Sequence, residues 1–459
     1  MIRTFPNPGR TPGWWARWLA FVMLATTTSL PGNAQTPLEL QDRRARLASS
    51  LPAGLVILPG RIEEKAMEQP AWIQDPSFQY YTGLHTIPGG ILVIDTAAGH
   101  DILFSGGAPL SFGMPQDTLD IQNRPDLIEA SGLDAVLPMD RFIPWVENRL
   151  TRIGPDASLF VNEPRQPAQQ VLPDGMPPVS GWHALWRHSL STTFPQAEIR
   201  SAADVIIQAR WQKSAFEIAR LRRNGEASAV ALKAGMHAVE AGMLQRTAEA
   251  AVVASCLESG MEGPSFWPWV MTGPNAHLGA VVRSFYDYEH LNRTFRSGEL
   301  VRVDIGCMSG GYGGDVGRTI PVSGRFTPAQ GRIWDLLVTG YQAGVAAMQP
   351  GVSLDDVAAA SRSAIVARRG QSPDLDEAID RLTAPDGVIW HIHGVGIESG
   401  ETPGDLLVEG AVLAFEPMIS VGQHAYYLED MWLITASGAV NLTPGLPTTR
   451  EEIETFLSR

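Results

Sequence analysis

Five polar residues constrain what the C-terminal half of this chain can fold into. Asp304, Asp315, His393, Glu416 and Glu429 each stand inside an apolar, strand-like run: VRVDIG, GGDVGRTIPV, HIHGVGIE, AVLAFEPMIS and YYLEDMWLIT. Strand interiors normally exclude acids, and a charge carried into a core must be paired or bound to metal. Oxygen donors with one imidazole suit divalent ions, and a pair of such ions points first to hydrolysis. The runs are therefore read as strands that bring their polar residues to one site.

The four carboxylates fall into two hairpins. Asp304 and Asp315 are equidistant from Ser309–Gly310, inside the glycine-rich MSGGYGG, and Glu416 and Glu429 are equidistant from Gly422–Gln423. Antiparallel pairing about those centres places each pair opposite, with β-carbons about 4.5–5.5 Å apart. Acids that close repel unless cations lie between them, and two ions roughly 3.5–4 Å apart fit. His393 supplies the nitrogen donor, and Gly394 and Gly396 after it allow close backbone approach.

At 459 residues, two domains are the default. Residues 38–205 read as an α/β domain, with strands expected at 54–58, 78–81, 90–95, 101–105 and 158–162 and a proline-rich stretch around 164–178. No catalytic constellation stands out there. In residues 206–459, Ser214-Ala-Phe-Glu217 is a capping box that opens a helix to about Gly242, and a second helix runs to Ser259 with Gly260 as its cap. Strands follow to about residue 322. Thr327-Pro-Ala-Gln330 then opens another helix, Ser353 a further one stopped by Gly370, and strands return from about 388 to 435. Helix, helix and strands thus occur twice, which predicts an α+β domain with an internal pseudo-two-fold and the candidate ligands divided between its halves.

Residues 1–34 read as a secretory signal peptide. Arg3, Arg10 and Arg17 precede an apolar stretch from Trp18 to Leu30, too short to span a bilayer, and Gly32-Asn33-Ala34 forms a small-residue cleavage site. An uncleaved anchor is the alternative. Cleavage implies an exported protein, periplasmic or secreted, without a membrane segment thereafter. The formal charge is −14, about −17 once the three arginines are removed, which argues against a nucleic-acid partner. Spacing alone cannot pair Cys256 and Cys307. Cys256 falls in a helical pattern and Cys307 just after a strand, so two buried free thiols are expected. Without a CxxC, cysteine ligation of metal is not.

Taken together, D-x10-D with GY between, HGxG, EP and ED resemble the motifs of the pita-bread (creatinase/aminopeptidase) metallopeptidases, with Xaa-Pro aminopeptidase as the nearest type. WIQDPSFQYYTGL at 72–84 resembles a segment of that family's N-terminal domain, and RTFRSGELVRVDIGCMSGGYGGDVGRTIPVSGRFTPAQ is the most specific match. The resemblance covers nearly all of the chain from residue 38. It implies a creatinase-like N-terminal domain, a pita-bread catalytic domain, a peptide substrate and two divalent ions, usually Mn2+, with Zn2+ or Co2+ as alternatives. Asp304 would chelate one ion, His393 and Glu416 would bind the other, and Asp315 and Glu429 would bridge. A hydroxide held by the metals would attack the scissile carbonyl, its proton passing to Glu416 as general base. Family members are often dimers or larger, so a homo-oligomer is also implied.

The sequence departs from the family at its other histidines. Phe285 stands before Tyr286 where a histidine is usual, with His277 or His290 as substitutes. Ile389 stands four residues before His393 and Gly400 seven after it, where the family has histidines; Tyr427 replaces an arginine. His391 shares the strand face of His393 by period-two alternation and can approach the site. His424 is expected in solvent at a turn, and Trp390, Tyr426, Tyr427 and Trp432 in the core. Loss of an oxyanion donor costs about 10²–10³ in rate. The departures therefore leave two other readings open: a dipeptidase or other amide hydrolase of the same fold, and a metal-stabilised protein without catalysis.

Overall fold

The computed structural model describes residues 35–61, 74–106, 121–163, 181–277, 279–280, 292–384 and 389–458. The signal-peptide region, the proline-rich stretch, Phe285, Tyr286 and His290 lie outside the described residues.

The N-terminal sheet has six strands: β1 (Gly54–Pro59), β2 (Ile91–Asp95), β3 (His100–Ser105), β4 (Ala135–Pro138), β5 (Ser158–Val161) and β6 (Glu198–Ser201), in the order β4-β3-β2-β1-β5-β6. Its centre is an antiparallel meander and its flanks are parallel. β4 and β6 were not legible as strands: β4 is an apolar run of only four residues that ends in Pro138, and β6 exposes most of its residues and shows no apolar run. The strand expected at 78–81 is instead the helix Pro76–Thr82. Asp75 caps it by accepting from the Ser77 and Phe78 amides, Pro76 occupies its first turn, and Gly83 ends it at φ 72°. Capping chemistry at both ends outweighs the strand preference of Phe78, Tyr80 and Tyr81.

The C-terminal sheets contain β7 (Gly263–Pro264), β8 (Trp269–Thr272), β9 (Leu300–Ile305), β10 (Cys307–Met308), β11 (Val316–Pro321), β12 (Ile389–Gly394), β13 (Val412–Val421), β14 (His424–Thr435) and β15 (Gly438–Asn441). Seven of these form one sheet in the order β12-β13-β14-β11-β9-β8, with β15 on β14; β10 pairs with β7. The helices Ala215–His237 and Pro328–Ala347 begin with complete capping boxes at Ser214 and Thr327. The first ends at His237, five residues before the expected Gly242, which instead takes φ 91° in the following turn. Together with the helices Gln245–Glu258 and Leu354–Val366 they cover the sheet and form its largest apolar core. Two helices escaped the sequence reading, Pro373–Thr383 and Arg450–Leu457.

One hairpin register is as expected and the other is not. In β13–β14, Phe415 pairs with Asp430 and Met418 with Tyr427, so Glu416 and Glu429 oppose each other about a turn in which Gly422 has φ 58°. In β9–β11, Asp304 pairs with Gly317 and not with Asp315. The cause is a detour: Cys307–Met308 leaves the hairpin to pair with Gly263–Pro264, which consumes residues on one arm of the turn. Asp304, Gly317 and Glu429 consequently form one row across three strands.

The cysteines also differ from expectation. Cys256 and Cys307 form a disulfide across a Cα–Cα distance of 5.5 Å. The β10 detour carries Cys307 beneath the helix Gln245–Glu258, a placement that no sequence spacing encodes.

Candidate metal centre

Four of the five expected residues converge at the middle of the curled sheet. His393 Nε2 lies 3.3 Å from Glu416 Oε1, 3.6 Å from Asp315 Oδ2 and 4.0 Å from Glu429 Oε1. Its Nδ1 is 3.0 Å from the Gly394 carbonyl, which can only accept. Nδ1 therefore carries the proton in the neutral ring, and in the charged ring Nε2 carries a second proton directed at the acids. Asp304, Asp315 and Glu429 are buried and Glu416 is half-buried.

The electrostatics are those of an anionic cluster short of cations. Burial pushes Asp315 and Glu429 well above the usual carboxylate range, aided for both by repulsion from Glu416 and Asp304. Burial likewise takes Asp304 to about 6, against the pull of Arg302. Glu416 goes the other way: hydrogen bonds from His391 and His393 overcome its burial and hold it low. Burial opposes the charged form of His393, yet Glu416 and Asp315 raise it to about 9. A divalent cation would displace these protons.

Asp304 is engaged differently. Arg302, two residues earlier on the same strand face, donates from Nη2 to Asp304 Oδ2 at 2.5 Å and is itself fully buried. Its guanidinium lies 3.9 Å from the centre of the Tyr427 ring, and Nη1 is 3.1 Å from Met418 Sδ. The Tyr427 hydroxyl is 2.8 Å from Glu416 Oε2 and 2.7 Å from Glu429 Oε2. Tyr427 is thus part of the centre, not core packing. Arg302 was missed although it left a signal: an arginine inside VRVDIG is as foreign to a strand interior as the acid beside it.

The remaining expectations divide. His391 pairs in register with Glu416, and its Nδ1 is 2.5 Å from Glu416 Oε1. His424 is not solvated in a turn: it begins β14, is half-buried and sets Nε2 3.2 Å from Gln330 Nε2. Trp390 and Trp432 donate to Leu382 O and Tyr341 Oη within the core, and Tyr426 is buried there. Gly400 is exposed and His277 half-buried.

A buried ionic cluster braces the strand end that carries His393. Glu401 accepts from Lys213 Nζ at 2.6 Å, from Arg210 Nη2 at 2.7 Å and from the Ile397 amide at 3.0 Å, while its backbone exchanges two hydrogen bonds with Gly394. Burial works against this carboxylate, but Arg210 and Lys213 outweigh it and hold Glu401 at about 2, below its ordinary 4.5. A depressed acid contributes stability above its unfolded pKa and loses it as pH falls through the folded value. Glu401 should therefore supply about 3 kcal/mol at pH 7 that disappears between about pH 4.5 and 2. Glu401→Gln is expected to lose about 3–5 kcal/mol at pH 7, because buried Lys213 loses its carboxylate and Arg210 keeps only Glu398, and to show a shallower acid dependence. Urea denaturation at pH 7 and pH 3 measures both. Equal stability of variant and parent at pH 7 would contradict the assignment.

The donor set suits a divalent cation. Among the described residues Glu429 Oε1 is buried without a hydrogen-bond partner and lies on the His393 side of the cluster, so a polar atom stands where no described group satisfies it. Several carboxylate oxygens with one imidazole match hard or borderline divalent ions.

Comparison with known proteins agrees with this chemistry. Residues 219–436 match metallopeptidase family M24. The Xaa-Pro aminopeptidase of Escherichia coli (strain K12) is 26% identical over 468 residues, covering 91% of this chain and 97% of that protein. The Xaa-Pro aminopeptidase of Haemophilus influenzae is 21% identical, covering 92% of this chain and 97% of that protein. Among solved structures, Pseudomonas aeruginosa aminopeptidase PepP superposes with a TM-score of 0.74 at 21% identity, over 93% of this chain and 99% of the other. Proline aminopeptidase P II from Yersinia pestis gives 0.72 at 22%, over 92% and 99%. The M24 match spans every strand that supplies the centre, so residues 219–436 form a metallopeptidase family M24 domain, in a chain that has the pita-bread fold and resembles aminopeptidase P.

Proposed function

We propose that this protein is an exported aminopeptidase that releases the N-terminal residue from peptides with proline in second place. The observation that carries the reading is the convergence of His393, Asp315, Glu416 and Glu429 around Glu429 Oε1, unpartnered among the described residues. These four would hold divalent metal together with Asp304, as two ions, manganese before zinc or cobalt. Bound there, a divalent ion lowers the pKa of water and polarises a carbonyl. Glu416 then takes the water proton as general base, with one carboxylate oxygen fixed by His391 and the other by Tyr427. The peptide substrate rests on the relatives named Xaa-Pro aminopeptidase, which align with this chain almost end to end.

Export is supported by the sequence of residues 1–34 and by the disulfide, since such bonds persist in oxidising compartments. We place the division between the N-terminal and catalytic domains at about residue 206. No described helix is long and apolar enough to cross a membrane. A second reading, hydrolysis of another amide on the same centre, is favoured by Gly400, which offers no side chain where the family has a histidine.

The test is release of the N-terminal residue from an Xaa-Pro-Xaa peptide by metal-stripped protein titrated with Mn2+. Manganese-dependent release is the expected result. Metal binding without release, but with turnover of a dipeptide or another amide, would establish the second reading instead.

A further inference from the structure

The two sides of the centre are not equivalent. On the His393 side, Nε2, Asp315 Oδ2, Glu416 Oε1 and Glu429 Oε1 face one another; His391 reaches Glu416 Oε1, and Glu429 Oε1 has no partner among the described residues. On the Asp304 side, the chain has supplied its own partners. Arg302 occupies Asp304 Oδ2, and the Tyr427 hydroxyl, with one proton to give, lies between the second oxygens of Glu416 and Glu429. Of these atoms, Asp304 Oδ2 and Glu429 Oε2 are ones on which a second ion would have to draw.

Resting on the metallopeptidase reading above, we propose that Arg302, seated on Tyr427, is a built-in cation that competes with a second metal ion for Asp304. The protein then takes one divalent ion tightly on His393, Asp315, Glu416 and Glu429, and a second one much more weakly.

Three features make the Arg302–Tyr427 pair a fixture. Gly317 stands in register between Asp304 and Glu429, and a β-carbon there would run into the Tyr427 ring, so the glycine gives the ring its place. The guanidinium lies over that ring and against Met418, held on two sides while its Nη2 reaches Asp304. The Tyr427 amide donates to Thr319 Oγ1 at 2.8 Å, and Thr319 pairs in register with Arg302, tying the three strands together at this point. A second ion at Asp304 must therefore displace a buried, stacked guanidinium or share a carboxylate with it at close range. Both penalties fall on that ion and not on the one at His393.

The experiment is equilibrium dialysis of the metal-stripped full chain against Mn2+ and, separately, Zn2+, with bound metal counted by elemental analysis. One tight equivalent is expected, followed by a second that binds about 10–100-fold more weakly. In Arg302→Met the second ion should approach the affinity of the first, because Asp304 is freed. Tyr427→Phe, which keeps the ring and removes the hydroxyl, should narrow the gap in part. Two equivalents of indistinguishable affinity in the parent protein would overturn the proposal, as would an unchanged gap in a folded Arg302→Met. Should Arg302→Met fail to fold, the parent stoichiometry and Tyr427→Phe decide the matter. Failure of the underlying reading looks different: no ion is bound at any concentration.

Discussion

Glu416→Ala should lower kcat/KM on an Xaa-Pro peptide by about 10³-fold or more. General-base catalysis by a positioned side chain contributes about 10²–10⁴ in rate, and Glu416 is also a proposed metal donor, so two losses coincide. The geometry supports the role. Hydrogen bonds from His391 and His393 hold the carboxyl ionised against its burial, and a general base must be ionised to work. Its oxygens are oriented at 2.5 Å by His391 and at 2.8 Å by Tyr427. Metal content, measured alongside turnover, separates the two contributions. Near-normal metal with lost turnover identifies the base, whereas lost metal identifies the ligand. A variant that keeps more than a tenth of the parent activity, with metal bound, would remove Glu416 from the mechanism.

The second large effect concerns stability. Replacing Cys256 and Cys307 together by alanine is expected to cost about 4 kcal/mol, because the disulfide closes a loop with a sequence separation of 51. The bond ties the helix Gln245–Glu258 to β10, three residues beyond Asp304, so it also anchors the detour that sets the hairpin register. Thiol titration of the unfolded protein should find no free thiol before reduction and two after it. Urea unfolding of the parent and the double variant gives the stability difference. Two reactive thiols in unreduced protein, or a difference below about 1 kcal/mol, would refute the linkage as a structural one.

Much of the centre was legible because burying charge is expensive. Asp304, Asp315, His393, Glu416 and Glu429 announce themselves by standing where only apolar residues belong, and a local reading suffices for that. The β13–β14 hairpin was legible for a similar reason: a short turn at Gly422–Gln423 fixes register through neighbouring residues alone. The capping boxes at Ser214 and Thr327 gave helix starts because the reciprocal hydrogen bonds involve residues three apart.

Other features depend on contacts between distant segments. The helix Pro76–Thr82 was misread because aromatic residues suit either structure, and only its caps decide between them. Whether Cys307 meets Cys256 depends on β10 leaving its hairpin for β7, a pairing across more than forty residues. Arg302 shows the same limit most clearly. Its presence in VRVDIG was visible, but that it holds Asp304 depends on Tyr427 crossing from β14 over Gly317, two strands away. That a cluster of acids and one histidine would meet on buried strands could be read from the chain alone, since charges carried into apolar runs must find partners there. Which protein groups partner those acids was settled by the fold, because the Arg302 guanidinium and the Tyr427 hydroxyl arrive from strands that become neighbours only when the sheet has formed.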